Sequence, residues 1–188
     1  MKRLLIFLVA LLTYVGAQAQ QPVYVYGVDY AQVKVFGADE SPNDFAKAFV
    51  GINDLLYSEI DKYDFSAVFG SGNYEVHHEV MANRILQADL SELRARGQAL
   101  PILNVPQILA AYELPHTEGV GFVLIARLLN KTKSQGSYYA VMFDVASRRV
   151  LLQTEITTRS RGFGLRNFWA YTVYNAIKQL RMEVPANK

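Results

Sequence analysis

Apolar residues recur every three or four positions after Ser41-Pro42, which is the spacing of one face of a helix. This pattern predicts a helix from about Pro42 to Lys62. The side-chain oxygen of Ser41 can cap the first turn, and proline suits the first helical position. The positions expected to face inward are Phe45, Phe49, Ile52, Leu56 and Ile60.

Three further segments show helical spacing. The first runs from Val80 to Arg96 and is expected to end at Gly97, the second runs from Asn104 to about Tyr112, and the third from about Leu165 to Met182. The expected inward positions of the first are Ile85, Leu86, Leu90 and Leu93, and those of the third are Leu165, Trp169, Val173, Ile177 and Leu180.

Alternating or β-branched segments predict strands between these helices. Residues 20–29 are rich in tyrosine and valine and indicate an extended arm or strand, while residues 32–36 and 73–79 alternate as strands do. Three later segments, joined by short turns, predict an antiparallel meander. They are residues 119–130, 137–145 and 150–158.

The order of these elements predicts an α+β fold, a mixed sheet with a C-terminal antiparallel meander and helices packed on it. No stretch between residues 20 and 188 resembles a linker long enough to divide them, so we expect one domain there.

The first residues have the pattern of a secretory signal peptide. Met1-Lys-Arg is basic, residues 4–15 are almost wholly apolar, and Ala17 and Ala19 are spaced for signal peptidase. The apolar run is shorter than the roughly 20 residues that a membrane span needs. We therefore expect residues 1–19 to be cleaved and residues 20–188 to be periplasmic or secreted, without a transmembrane segment.

The composition removes several kinds of chemistry. The chain has no cysteine, which excludes disulfides, thiolate metal sites, a cysteine nucleophile and the lipid-bearing cysteine of a lipoprotein. Two of the 19 basic residues lie in the predicted signal, so the mature chain has 17 basic and 17 acidic residues. Net charge therefore gives no argument for nucleic-acid binding.

The charges are unevenly distributed along the mature chain. Residues 20–118 hold 14 acidic and 6 basic residues, whereas residues 119–188 hold 3 acidic and 11 basic. Two interpretations remain open: the halves neutralise each other within the molecule, or a basic surface binds an anionic partner. Arginine and aromatic residues are enriched at interface hot spots. The candidate binding residues are Lys131, Lys133, Arg148, Arg149, Arg159, Arg161, Phe163 and Phe168.

Catalytic and metal-binding signals are weak. The chain has no G-x-S-x-G, H-E-x-x-H or Walker motif. Glu75, His77 and Glu79 would share one face of a strand and offer ligands that zinc, manganese or non-haem iron accept. Three ligands on one strand are poorly enclosed, so we expect no tight metal site. The sequence likewise predicts no cofactor and identifies no catalytic residue.

The order of elements resembles a family of small periplasmic α/β domains. This family includes the N-terminal domain of the Tol–Pal translocation protein, curli-secretion assembly factors and outer-membrane activators of penicillin-binding proteins. The segments that carry the resemblance are Asn73-Tyr-Glu-Val-His77, Val105-Pro-Gln-Ile-Leu-Ala-Ala-Tyr-Glu-Leu114 before Gly121-Phe-Val-Leu-Ile125, and Tyr138-Tyr-Ala-Val-Met-Phe-Asp144 turning through Arg148-Arg149-Val150. Other secreted bacterial families also fit this loose pattern. The resemblance implies a non-catalytic role in binding or assembly.

The leading expectation is therefore an exported, soluble, non-catalytic module that binds an envelope protein or another anionic envelope component. One alternative is a secreted hydrolase whose active site has no local motif. The other is a structural protein that self-associates through its opposite charges, as a homo-oligomer.

Overall fold

Six strands form one mixed sheet in the computed structural model, which describes residues 22–70 and 72–183. The strands are β1 Val23–Asp29, β2 Lys34–Phe36, β3 Tyr74–Val76, β4 Val120–Asn130, β5 Gln135–Asp144 and β6 Val150–Arg159. The helices are α1 Pro42–Ser58, α2 Ser66–Phe69, α3 Glu79–Gln87, α4 Val105–Ala110 and α5 Leu165–Glu183. The predicted signal peptide lies outside the described residues.

The strand order is β3-β1-β4-β5-β6, with β2 pairing beside β1 on the same side of β4. β1 is parallel to both β3 and β4, and β4, β5 and β6 form an antiparallel meander. The predicted α+β fold with a C-terminal meander is therefore confirmed. The N-terminal arm or strand, residues 20–29, contains a central strand, because β1 lies between two partners.

Helix α1 begins as its sequence predicts. Ser41 and Asp44 form a capping box, in which each side chain bonds the backbone amide of the other. The helix ends at Ser58 instead of Lys62, because the backbone of Glu59, with φ −115° and ψ 46°, leaves the helical conformation. Ile60 therefore leaves the apolar face and is exposed, contrary to the prediction.

The two faces of the sheet carry separate apolar cores. On one face, α1, α2 and α5 pack on the sheet around Phe49, Phe122 and Trp169. On the other face, α4 covers Tyr26 and Phe143. Helix α3 lies beside the β3 edge and contributes to both, through Ile85 to the first core and Met81 to the second. No helix among the described residues combines the length and apolar content that crossing a membrane requires.

Helix α3 is about half as long as predicted. It stops at Gln87, and the backbone of Ala88 is already extended. The following residues instead pair beside β2, since Val35 donates its amide to Leu93 and accepts from Ala95, both at 2.8 Å. Within α3, Leu86 is exposed, contrary to the prediction, whereas Leu90 and Leu93 are buried as predicted.

Candidate functional site

The eight predicted binding residues lie at two opposite ends of the meander. Arg148 and Arg149 belong to the turn between β5 and β6. The other six lie around the β4–β5 turn and the segment that follows β6, and we call them the basic end: Lys131, Lys133, Arg159, Arg161, Phe163 and Phe168. Strands of ten residues separate the two groups by about 30 Å. A compact partner at the basic end therefore does not reach Arg148 and Arg149.

Backbone pairing holds the basic end together. Arg159 is the cross-strand partner of Gln135, and the amide of Ser160 bonds the carbonyl of Ser134 at 2.8 Å. The side-chain amide of Asn175, on α5, donates to the carbonyl of Arg159 at 2.9 Å. The turn, the end of β6 and α5 thus form one connected surface.

Part of the positive charge at this end is neutralised within the molecule. The ammonium of Lys131 lies 3.5 Å from the Glu40 carboxylate and 4.8 Å from the centre of the Phe168 ring. The pKa of Glu40 is lowered by a hydrogen bond from its own backbone amide and, in addition, by the charge of Lys131. Arg181 similarly pairs with Asp64 at 3.7 Å. These two pairs join the basic and acidic halves of the chain.

The remaining cations of the basic end are exposed. Lys133, Arg159 and Arg161 form no ion pair with any residue in the ranges 22–70 and 72–183. The neutralisation between the two halves is therefore incomplete at this end, and three side chains stay available to an anion.

Phe163 is the most exposed large apolar residue of the described chain, with 95% of its surface accessible. It stands between Gly162 and Gly164, which have φ angles of 118° and 78°. Residues with a Cβ rarely adopt such angles, so the two glycines create the turn that presents the ring. Phe168 has a different role, because it is partly buried and packs edge-to-face on Trp169.

The outer edge of β6 is open. Among the described strands β6 pairs with β5 alone, so one row of its backbone amides and carbonyls faces away from the sheet. The last carbonyl of this row, that of Arg159, already accepts from Asn175. The strand begins beside Arg149 and ends at Arg159. A basic residue therefore lies at each end of this free edge.

The β5–β6 turn is tightly bonded. Asp144 accepts hydrogen bonds from the amide and hydroxyl of Ser147, at 2.8 and 2.6 Å. The Ser147 hydroxyl lowers the pKa of Asp144 most, and the nearby guanidinium groups act in the same direction. Arg148 adopts a left-handed backbone conformation and its guanidinium donates to the Tyr112 carbonyl at 3.4 Å, whereas Arg149 is exposed.

A second group of polar side chains converges at the β3 edge of the sheet. The potential ligand atoms of Glu75, His77 and His116 all lie within 4.8 Å of one another, and we call these three residues the histidine cluster. Glu75 is the parallel partner of Tyr24 on β1, and His77 follows β3. His116 comes from the segment after α4, which packs over the same face of the sheet.

Neighbouring groups orient both imidazoles. Nε2 of His77 lies 3.4 Å from Glu75, while its Nδ1 lies 3.4 Å from the Glu79 carboxylate. Nδ1 of His116 lies 3.1 Å from the Tyr26 hydroxyl, and the Tyr24 ring stacks on the imidazole of His116 at 3.6 Å and 9°. Burial lowers the pKa of His116, and the neighbouring His77 acts in the same direction.

The structure alters the predicted Glu75, His77 and Glu79 trio. β3 ends at Val76, so Glu79 does not share a strand face with the others but begins α3. Its carboxylate still contacts His77, at Nδ1 of the imidazole. His116 was missed, because no spacing in the sequence connects it to residues 75–79, and only the packing of the segment after α4 brings it close.

A groove of about 550 Å³ borders the histidine cluster, between α3 and residues 111–115. Glu79 and Pro115 line it next to His77 and His116. Two residues of its lining, Arg84 and Tyr112, donate to the buried carboxylate of Asp29, at 3.0 Å and 2.9 Å. Burial, with the charge of Asp29, raises the pKa of Tyr112 and keeps the phenol protonated as a donor.

No protein-family model, curated protein or solved structure matches the chain. The resemblance to small periplasmic domains therefore stays a prediction.

Proposed function

We propose that this chain is an exported, non-catalytic binding module that takes an extended acidic segment of an envelope protein. The segment would lie along the open edge of β6 and end against the basic end. The observation that carries the proposal is the convergence of exposed cations and one exposed aromatic ring where the free strand edge ends.

The charge of the partner follows from the cations that form no ion pair within the described part of the chain. Lys133, Arg159 and Arg161 present three positive groups around one strand end. Complementary charge raises the rate of encounter and disfavours basic competitors. Acidic side chains near the end of the bound segment would meet these three groups.

The extended form of the partner follows from β6. A free strand edge binds another strand through main-chain hydrogen bonds, which supply affinity without fixing the sequence. Side chains then supply specificity, here the cations and the Phe163 ring. An anionic lipid headgroup would use the cations but not the strand edge, so the protein partner uses more of the surface.

The test is binding of a labelled synthetic peptide of about 12 residues that alternates glutamate and valine, followed by fluorescence anisotropy. A matched peptide in which every backbone amide is N-methylated keeps the charge but lacks the donors needed for pairing on either edge. We expect binding of the first peptide, which weakens as salt is raised, and at least about tenfold weaker binding of the second.

Three results would contradict the proposal. Equal affinity for both peptides would show that binding depends on charge alone and that the edge of β6 does not contribute to it. Binding to vesicles rich in anionic lipid, with none to either peptide, would assign the basic end to a membrane surface. A molecular mass that rises with protein concentration, without peptide binding, would assign the β6 edge to a second copy of the chain.

A further inference from the structure

We infer that Glu75, His77 and His116 bind one divalent transition-metal ion of the zinc class. This site is separate from the basic end and does not depend on the proposed function. Its ligand set is two imidazoles and one carboxylate, a combination that binds zinc with a fourth position left open.

The distances suit a single ion. Two ligands of a tetrahedral zinc with bonds of about 2.0–2.1 Å lie about 3.3 Å apart. Nε2 of His77 and the Glu75 carboxylate are already 3.4 Å apart. The longest separation in the cluster is within 4.8 Å, so closing the site needs a movement of about 1.5 Å or less by one side chain.

Both imidazoles have the second partner that metal-bound histidines require. A histidine bound through Nε2 usually donates its Nδ1–H to a carboxylate or another oxygen, which fixes the tautomer and the ring orientation. The Glu79 carboxylate lies at Nδ1 of His77, and the Tyr26 hydroxyl at Nδ1 of His116. Each ring therefore keeps its Nε2 for the ion.

The surroundings also restrict the site. The stacked Tyr24 ring fixes the plane of His116, and both histidines are only partly exposed. This enclosure answers the objection raised from the sequence, where three ligands on one strand seemed too open. The third ligand, His116, comes from the segment after α4. The side chains that contact the two rings come from β1 and α3.

The nearby His78 provides a matched control. It adjoins His77 in the chain, but its Nε2 faces Asp54 at 3.6 Å and its ring stacks on Tyr57. It is as exposed as His77, with side-chain accessibilities of 22% and 24%. Its Nδ1 lies 3.6 Å from the Glu79 carboxylate. Replacing His78 thus removes a histidine of similar exposure that pairs with Glu79 but with none of the three proposed ligands.

The experiment titrates chelator-treated protein with Zn²⁺ by calorimetry and with Co²⁺ by visible absorption, whose intensity reports tetrahedral coordination. We expect one ion per chain, with binding lost or weakened more than about a hundredfold in His77→Ala, His116→Ala and Glu75→Gln. His78→Ala keeps all three ligands and should weaken binding less than about tenfold. Glu79→Gln should weaken binding about 10- to 100-fold, because Glu79 no longer holds Nδ1 of His77 with a carboxylate.

Nuclear magnetic resonance of the wild type makes the test independent of how any variant folds. Zn²⁺ should shift the imidazole resonances of His77 and His116 strongly and those of His78 much less. The inference is overturned if no ion binds, if His116→Ala binds normally, or if His78 responds as strongly as the other two.

Discussion

The hydroxyl of Tyr26 lies 3.1 Å from Nδ1 of His116, although the two residues are 90 positions apart. The contact joins the central strand β1 to the segment after α4. It engages Nδ1 of His116 and leaves Nε2 as the nitrogen for the inferred ion. The orientation of His116 thus depends on a residue in the middle of the sheet.

Replacing Tyr26 with phenylalanine should weaken zinc binding about 10- to 100-fold, because it removes the partner of Nδ1. The free energy of unfolding should fall by about 1 kcal/mol, the usual net contribution of one hydrogen bond. Calorimetry and urea unfolding measure the two effects. Tyr24→Phe keeps the stacked ring and should leave zinc affinity unchanged, so an equal loss in both variants would contradict this role of the Tyr26 hydroxyl.

Replacing Phe163 with alanine should weaken binding of the glutamate–valine peptide about tenfold, because an exposed aromatic beside cations is a typical hot spot. Stability should change by less than about 0.5 kcal/mol, since the ring contributes little to the core. Ile102→Ala is the matched control, because Ile102 is 91% exposed and lies outside the basic end. Unchanged peptide affinity in Phe163→Ala would contradict the proposed contact between the Phe163 ring and the bound segment.

Alkaline pH should reveal the buried phenol of Tyr138. Burial raises the pKa of Tyr138 from 10.0 to about 12, and its hydroxyl bonds that of Thr172. A raised pKa means that the stabilisation is complete below about pH 10 and is lost as the pH rises toward 12. At about pH 11 this one group should lower the free energy of unfolding by about 1.4 kcal/mol relative to about pH 8.

Tyr138→Phe provides the comparison. The variant should be less stable at neutral pH, because Thr172 loses a partner, but its stability should fall less between about pH 8 and pH 11 than that of the wild type. Buried tyrosines that are not coupled to Tyr138 titrate in both proteins and cancel in the difference. Burial and, in addition, Tyr138 raise the pKa of Tyr30, so the removal of Tyr138 acts on Tyr30 in the same direction as the expected difference. Parallel loss in both proteins would contradict the raised pKa of Tyr138.

Export should yield a chain that begins at Gln20, because Ala17 and Ala19 are spaced for signal peptidase. Intact mass spectrometry of the exported fraction measures this directly. A species that retains residues 1–19 in the envelope fraction would instead indicate an uncleaved anchor.

The parts of the fold that were predictable from sequence are those with local causes. α1 and α5 follow from apolar spacing and from the Ser41 cap, and the meander follows from three β-rich segments with short turns between them. α3 was predicted too long because the amide and carbonyl of Val35 recruit residues 93–95 into strand pairing. Pairing with Val35 thus competes with continuation of the helix. Because Val35 lies about 60 residues away in the chain, the local sequence pattern does not show this competition.

The candidate sites divide in the same way. Consecutive turns of a meander lie at its opposite ends. The predicted topology therefore already separates Lys131 and Lys133 from Arg148 and Arg149. The exposure of Phe163 also has a local cause in its two flanking glycines. The approach of His116 to Glu75 has none, because it depends on how the segment after α4 lies across the sheet.

The central claim is that exposed cations at the end of β6 hold an acidic segment. Its most direct test compares peptide affinity in the double variant Arg159→Glu, Arg161→Glu with that in Lys47→Glu, Lys178→Glu, which reverses two exposed lysines on α1 and α5. The two variants have equal net charge, so only the position of the change differs. We expect affinity for the glutamate–valine peptide to fall more than about tenfold in the arginine variant and less than about twofold in the lysine variant. Equal losses in the two variants, or none in either, would contradict the claim and leave the basic end as a counter-charge to the acidic half of its own chain.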